Sequence, residues 1–154
     1  LSQLDWPEPS RVGDLAMARL LPVRQALGQF LSGYGMQGLC ENLDSVTVRH
    51  CDAMSGEGIR LMEWLRDCLG ECEKCEDSTA LEAEYIVKNC GQCDSGCSLA
   101  LEFKYSDGRY FKWRKFTEGF MGEIEASLGK SEEKISTRVK PLGVGQTIAE
   151  ALFF

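Results

Sequence analysis

The sequence predicts an α+β protein with N-terminal helices, a small antiparallel zinc-ribbon-like sheet and a C-terminal helix. Apolar residues recur at helical spacing before Gly70 and alternate with polar residues beyond it. Eight cysteines in 154 residues, six of them clustered, suggest a metal-stabilised sheet. We expect a helical region over 1–66, a β module with a following helix over 67–128, and a tail over 129–154.

Two helices are predicted near the N-terminus. Residues 1–9 contain two prolines and are expected to form an extended arm, after which Ser10 caps a helix that runs to about Leu20. Pro22 suits the first turn of a second helix, because a backbone N–H would have no helical partner there. The apolar residues of this second helix fall on one stripe: Val23, Leu27, Phe30 and Leu31.

A short strand and a longer helix follow. Residues 44–49 are rich in β-branched side chains and are predicted to form the strand. The helix is predicted from Ile59 to Leu69, where the apolar residues make a wide face that is expected to be buried. Gly70 comes directly after this helix and is a favourable residue for ending it.

Beyond Gly70 the pattern indicates strands. Residues 82–88 are predicted to form one strand and residues 98–105 another. The second alternates strictly, which predicts that four residues share one face: Leu99, Leu101, Phe103 and Tyr105. Ser-Asp-Gly at 106–108 predicts a tight turn, so residues 109–116 are the returning strand of a hairpin.

The last part of the chain is predicted to contain a helix from Thr117 to Leu128. This prediction depends on helical spacing of apolar residues, namely Phe120, Met121, Ile124 and Leu128. A polar stretch over 130–140 follows. Residues 146–154 then suggest a short amphipathic helix or strand.

Six cysteines from Cys68 to Cys97 follow the pattern C-x3-C-x2-C-x14-C-x2-C-x3-C. Two CxxC pairs joined by a short excursion are typical of zinc ribbons, in which four thiolates form a closed, structural site. We predict that the inner four cysteines bind Zn²⁺: Cys72, Cys75, Cys90 and Cys93. The flanking Cys68 and Cys97 are candidate additional ligands or plain buried thiols.

Disulfides in a secreted protein and iron–sulfur or dithiol chemistry are the alternatives to zinc. Cys40, His50 and Cys51 lie upstream and have no assigned role, although with Cys68 or Cys97 they could build a second metal site. The first residues lack the basic and apolar parts of a signal peptide, and no run of 18 apolar residues occurs, so we expect no membrane span. We therefore expect a cytoplasmic or nuclear protein, or a secreted one if the cysteines form disulfides.

Charge is unevenly distributed in this chain of net charge −7. Residues 67–84 carry seven acidic residues against Lys74, whereas residues 104–116 carry five basic residues against Asp107. In the second segment aromatic residues alternate with the cations, a pattern typical of single-stranded nucleic-acid surfaces. The residues predicted to contact nucleic acid or a protein partner are Lys104, Arg109, Lys112, Trp113, Arg114 and Lys115.

The sequence contains no phosphate-binding loop, dinucleotide fingerprint, zinc-protease motif or nucleophile elbow. We therefore favour a non-enzymatic, zinc-stabilised protein that acts through protein–protein interaction and has a regulatory role. The alternatives are single-stranded RNA binding through hairpin 103–116 and a secreted, disulfide-stabilised protein. The partner is unknown, and opposite-sign patches would also suit a homodimer.

Residues 86–95 (IVKNCGQCDS) resemble a zinc-binding knuckle of the small papillomavirus oncoproteins that bind retinoblastoma-family proteins. Those proteins carry a second CxxC well downstream, and this chain has none after Cys97. They also carry an L-x-C-x-E docking motif, from which Leu39-Cys40-Glu41 differs in spacing. The resemblance implies a class of small viral or effector proteins that use a zinc module as a platform for host proteins.

Overall fold

A six-stranded mixed sheet runs through the protein, and helices pack on one of its faces. The computed structural model describes residues 15–74, 78–92, 97–116, 119–129, 131–139 and 142–153. The strands are β1 (Leu43–His50), β2 (Glu84–Asn89), β3 (Cys97–Tyr105), β4 (Tyr110–Phe116), β5 (Met121–Ser127) and β6 (Glu133–Arg138). The helices are α1 (Leu15–Arg19), α2 (Leu21–Leu31), α3 (Gly35–Cys40), α4 (Ser55–Gly70) and α5 (Val144–Phe153).

The strand order is β2-β1-β3-β4-β5-β6. Strands β1 and β2 are parallel, and α4 lies between them in the chain, whereas every other neighbouring pair is antiparallel. The α+β class is therefore confirmed, but the sheet is mixed and larger than the small antiparallel one expected. Its strands come from all three predicted regions, because β1 lies before residue 67 and β6 lies after residue 128.

The core lies between the helices and the inner face of the sheet. Strands β3 and β4 supply its three largest fully buried side chains: Trp113, Phe103 and Phe111. The rings of Phe103 and Phe111 lie 5.4 Å apart between centroids, and Phe30 of α2 lies 5.6 Å from Phe111. Aromatic pairs at this separation stabilise a fold beyond the effect of the area they bury. Helix α2 is thus held on the middle of the sheet.

The β3–β4 hairpin confirms the alternation predicted from the sequence. All four predicted inner residues of β3 are buried, and the turn ends with Gly108 at a φ of +87°. A positive φ favours glycine, because a side chain would clash with the backbone there. The outer residues of the hairpin consequently project from the other side of the sheet.

The helix predicted from Thr117 to Leu128 is wrong, because residues 121–127 form strand β5. Gly122, Ile124 and Ala126 are buried on the inner face of the sheet. Glu123 and Glu125 lie between them in the sequence and therefore point to the outer face. The apolar residues of this short segment fit the period of a helix as well as the alternation of a strand. Pairing with β4 on one side and β6 on the other decides in favour of the strand. Thr117 itself lies outside the described residues.

Five other predicted elements agree with the structure, and two elements were missed. The second predicted helix, the 44–49 strand, the Ile59–Leu69 helix and the 82–88 strand correspond to α2, β1, α4 and β2, and the tail is helix α5. Helix α3 and strand β6 were not predicted, because one is rich in glycine and the other in polar residues. The predicted arm over 1–9 and the Ser10 cap lie outside the described residues.

Close packing between β1 and α4 depends on a glycine. His50 is buried at the end of β1, with Nδ1 3.0 Å from the backbone oxygen of Cys51. A Cβ placed on Gly58 of α4 would lie 2.6 Å from Cδ2 and 2.9 Å from Cβ of His50. No side chain fits at this position unless the helix or the strand moves.

We predict that Gly58→Ala lowers the free energy of unfolding by about 1–3 kcal/mol, because it forces α4 away from His50. The matched control is Gly28→Ala in α2, where a Cβ meets nothing within 4 Å. This control should raise stability by about 0.5–1 kcal/mol through helix propensity. Urea unfolding measures both values, and similar changes in the two variants would contradict the packing argument.

Candidate interaction face and the cysteines

Two of the four predicted zinc ligands, Cys72 and Cys90, lie within the described residues, and their sulfur atoms are in different states. Cys72 is fully buried and forms a disulfide with Cys40, with a Cα–Cα distance of 6.1 Å. Cys90 and the flanking Cys68 are exposed and carry free thiols. Cys75 and Cys93 lie outside the described residues, and so does the side chain of Cys97.

The prediction of Zn²⁺ is therefore corrected in favour of disulfide bonding. Cys72, one of the four proposed ligands, has its sulfur bound to Cys40, and Cys51 is disulfide-bonded as well. Within the described ranges, no group of three or more His, Cys, Asp or Glu side chains could hold a metal ion. The CxxC spacing led to a wrong prediction, because Cys40, which is distant in the sequence, forms a disulfide with Cys72.

The Cys40–Cys72 disulfide ties two helix ends together. Cys40 is the last residue of α3, and Cys72 lies in the single turn of 3-10 helix, Glu71–Lys74, that follows α4. The two residues are 32 positions apart, and both side chains are buried in the core. Closing a loop of this length reduces the conformational entropy of the unfolded chain, which stabilises the fold. Local spacing carries no signal for such a pair.

The outer face of the sheet carries charged side chains on all six strands, and we call it the charged face. Its residues follow from the strand register, since partners across a sheet point to the same side. The basic members are Arg49, Lys88, Lys104, Lys112, Arg114, Lys134 and Arg138. The acidic members are Glu84, Glu102, Glu123 and Glu125. Seven cations against four anions give this face a net charge of +3 in a chain of net charge −7.

Ion pairs order the middle of the charged face. Glu123 accepts hydrogen bonds from Lys134 and Arg114, and these two cations hold the pKa of its carboxyl below its usual range. Arg49 pairs with Glu102 at 3.2 Å. Within the described residues, by contrast, Lys104 has no carboxylate within 4.0 Å. Exposed pairs of this kind contribute little to stability, so the cations stay available to a partner.

A shallow groove of about 400 Å³ lies in the middle of the charged face. Ala100 forms part of its floor, and its cross-strand neighbours Arg49 and Arg114 stand on either side. Lys104 and Lys112 line the same groove. The small side chain of Ala100 leaves space between two arginines, so an anionic group entering the groove would meet guanidinium donors from both sides.

Three of the six predicted contact residues do not lie freely on this face. Trp113 is 1% exposed in the core, so it is not available to a partner, and this prediction is corrected. Arg109 donates to the backbone oxygens of Gly38 and Glu41 and thereby anchors the end of α3. Lys115 donates to the backbone oxygen of Phe116. The remaining predicted contact residues, Lys104, Lys112 and Arg114, lie together on the charged face.

Cations cover the aromatic rings that remain on the outer side of the hairpin. The Lys112 ammonium lies 4.7 Å from the ring centroid of Tyr110, and the Arg114 guanidinium lies 5.5 Å from that of Phe116. A hydrogen bond to the Glu132 carboxylate raises the pKa of Tyr110 to about 12. Base stacking needs open ring faces, so this arrangement suits nucleic acid less than the sequence pattern indicated.

Four cations of this face were not predicted from the sequence: Arg49, Lys88, Lys134 and Arg138. They lie in strands far from the hairpin in sequence, and only the strand register brings them to its side.

Among the described helices, none has the length and apolar character that a bilayer crossing requires. No protein-family model matches the chain, and no curated protein or solved structure shows significant similarity to it.

We predict that the double variant Cys40→Ala/Cys72→Ala lowers the free energy of unfolding by about 2–4 kcal/mol, because the unfolded chain regains the conformational entropy that the disulfide removes. Reductant should lower the melting temperature of the original protein, and EDTA should leave it unchanged. The control Cys90→Ser alters an exposed thiol and should change stability by less than about 0.5 kcal/mol. Destabilisation by EDTA without an effect of reductant would contradict the assignment.

Proposed function

We propose that this chain is a non-enzymatic, disulfide-stabilised interaction protein whose charged face binds an acidic surface of another protein. The observation that carries the proposal is the net charge of +3 on one sheet face of a protein that is acidic overall. Complementary charge speeds the encounter of two proteins and selects their orientation. The uncommitted Lys104 and the paired arginines around Ala100 are the central contacts.

The disulfides support an oxidising location for this function. Cys40 and Cys72 form one disulfide, and Cys51 belongs to another. Structural disulfides persist in secreted proteins and in compartments of the secretory route, whereas cytosolic thiols are kept reduced. We therefore propose an extracellular or similarly oxidising environment in place of the cytoplasm or nucleus, and an acidic protein partner found there.

We predict that the full chain binds a labelled glutamate 20-mer at low salt, and that binding weakens as salt is added. Lys104→Glu should weaken it at least about tenfold, because it places a like charge in the groove. The control Arg60→Glu on α4 causes the same change in net charge away from this face. Fluorescence anisotropy measures both affinities, and equal losses in the two variants would contradict the proposal.

A second titration separates this proposal from RNA binding. A 20-mer of oligouridylate serves as the probe, with Tyr110→Leu and Phe116→Leu as variants that remove the outer rings. If the RNA binds more tightly than the peptide and both variants weaken it, the charged face is a nucleic-acid surface and the proposal is wrong.

Sedimentation at low salt tests whether two copies of the chain associate through the charged face of one and the acidic segment 67–84 of the other.

A further inference from the structure

Strand β2 forms one edge of the sheet, and among the described residues no strand pairs with the side of β2 that faces away from β1. The middle of the strand is Tyr-Ile-Val, a run of residues that favour β structure. Its register with β1 continues from Glu84 to Asn89 without a bulge, and it contains no proline. Bulges and prolines are among the features that keep edge strands from pairing with other chains. This edge is therefore able to accept a further strand.

Alternate residues of β2 point their backbone N–H and C=O groups away from the sheet. The N–H of Cys90, directly after the strand, donates to the backbone oxygen of His50 in β1 at 2.9 Å. Every second residue before Cys90 faces β1 in the same way, because the backbone groups alternate along a strand. Those of Tyr85, Val87 and Asn89 consequently point outward, where an added strand would form main-chain hydrogen bonds with them.

The sequence of β2 is complementary to itself when two copies run antiparallel. If the Ile86 residues of two copies face each other on a two-fold axis, Glu84 of one copy lies opposite Lys88 of the other, and Tyr85 lies opposite Val87. Opposite charges and aromatic–aliphatic pairs stabilise facing strands. The outward backbone groups of Tyr85 and Val87 also pair with each other in this register. An axis at Tyr85 or Val87 would instead place Ile86 opposite Glu84 or Lys88 and lose both ion pairs.

Side chains on both faces of β2 stay exposed in a single copy. On the charged face, neither Glu84 nor Lys88 forms an ion pair within the part of the chain that the structure describes. The cross-strand neighbour of Lys88 is a second cation, Arg49. On the helical side, Val87 is 40% exposed, although its neighbour in β1 is fully buried. A second copy brings a carboxylate beside the two cations and the ring of Tyr85 beside Val87.

We propose that two copies of this chain associate through β2, which pairs antiparallel with itself about a two-fold axis at Ile86. The two sheets then form one continuous sheet, and both charged faces point to the same side because the axis is perpendicular to the sheet. Backbone hydrogen bonds and apolar contacts form most of this interface, so salt should weaken it less than a contact between charged surfaces. The association does not depend on the proposed function.

Sedimentation equilibrium of the full chain at about 0.5 M salt tests the proposal, because this salt screens interactions between charged surfaces. We expect a dimer. Val87→Pro should weaken it at least about tenfold, because it removes an outward N–H from each copy and thus two hydrogen bonds from the interface. A proline is compatible with an edge strand where its nitrogen faces away from the sheet, so the single copy should still fold.

The matched control is Ser136→Pro in β6, the other edge strand. The N–H of Val139 donates to the backbone oxygen of Phe120 at 2.7 Å, so the N–H of Ser136 points away from β5. This variant should dimerise as the original chain does. Circular dichroism melts show whether both proline variants are folded.

Charge reversal at about 0.15 M salt tests the register. Glu84→Lys or Lys88→Glu alone places like charges opposite each other on both sides of the axis. Each should weaken the dimer about threefold to tenfold. The double variant Glu84→Lys/Lys88→Glu restores both ion pairs and should dimerise as the original chain does.

The proposal is overturned if the chain is a monomer at every concentration, which would leave an extended segment of another protein as the occupant of this edge. It is also overturned if Val87→Pro and Ser136→Pro behave alike, or if the double charge variant dimerises no better than the single ones. A dimer that Cys90→Ser abolishes would be a disulfide link between exposed thiols and would overturn it as well.

Discussion

Strand β1 is the element on which both the pairing of the sheet and the packing of α4 depend. It forms backbone hydrogen bonds with β2 on one side and β3 on the other, and α4 packs across it. Its inner side chains Val46 and Val48 are completely buried, so the strand cannot shift by one residue without exposing them. This register also sets His50 against α4. The close approach at Gly58 is thus a consequence of where β1 lies.

Core packing and surface charge are properties of the same two strands. In β3 and β4, successive side chains point to opposite faces, so large apolar residues alternate with charged ones. Phe103 and Phe111 hold α2 on the inner face, while Lys104 and Lys112 stand on the outer face. A rigid inner face keeps the outer cations at defined positions, which is what a binding surface requires.

Helix α3 connects the disulfide to the helical side of the molecule. The disulfide at Cys40 and the two backbone contacts of Arg109 hold its C-terminal end, and its residues Met36 and Leu39 line an apolar cleft that opens between α2, α3 and α4. Without these restraints, six residues rich in glycine would form a marginal helix. The shape of the cleft therefore depends on covalent and hydrogen-bonded contacts from distant parts of the chain.

The sequence by itself determined the elements whose period is unambiguous: α2, α4 and the β3–β4 hairpin with its two faces. Lys104, Lys112 and Arg114 were among the six contact residues that it predicted, but their common side of the sheet follows from the strand register. Tertiary structure decided the rest. Residues 121–127 fit two periods, and only pairing with β4 and β6 makes them a strand. The partner of Cys72 lies 32 residues away, and the cations of β1 and β6 reach the charged face through strand order alone. Contacts between distant residues leave no local pattern, because each depends on how the complete chain packs.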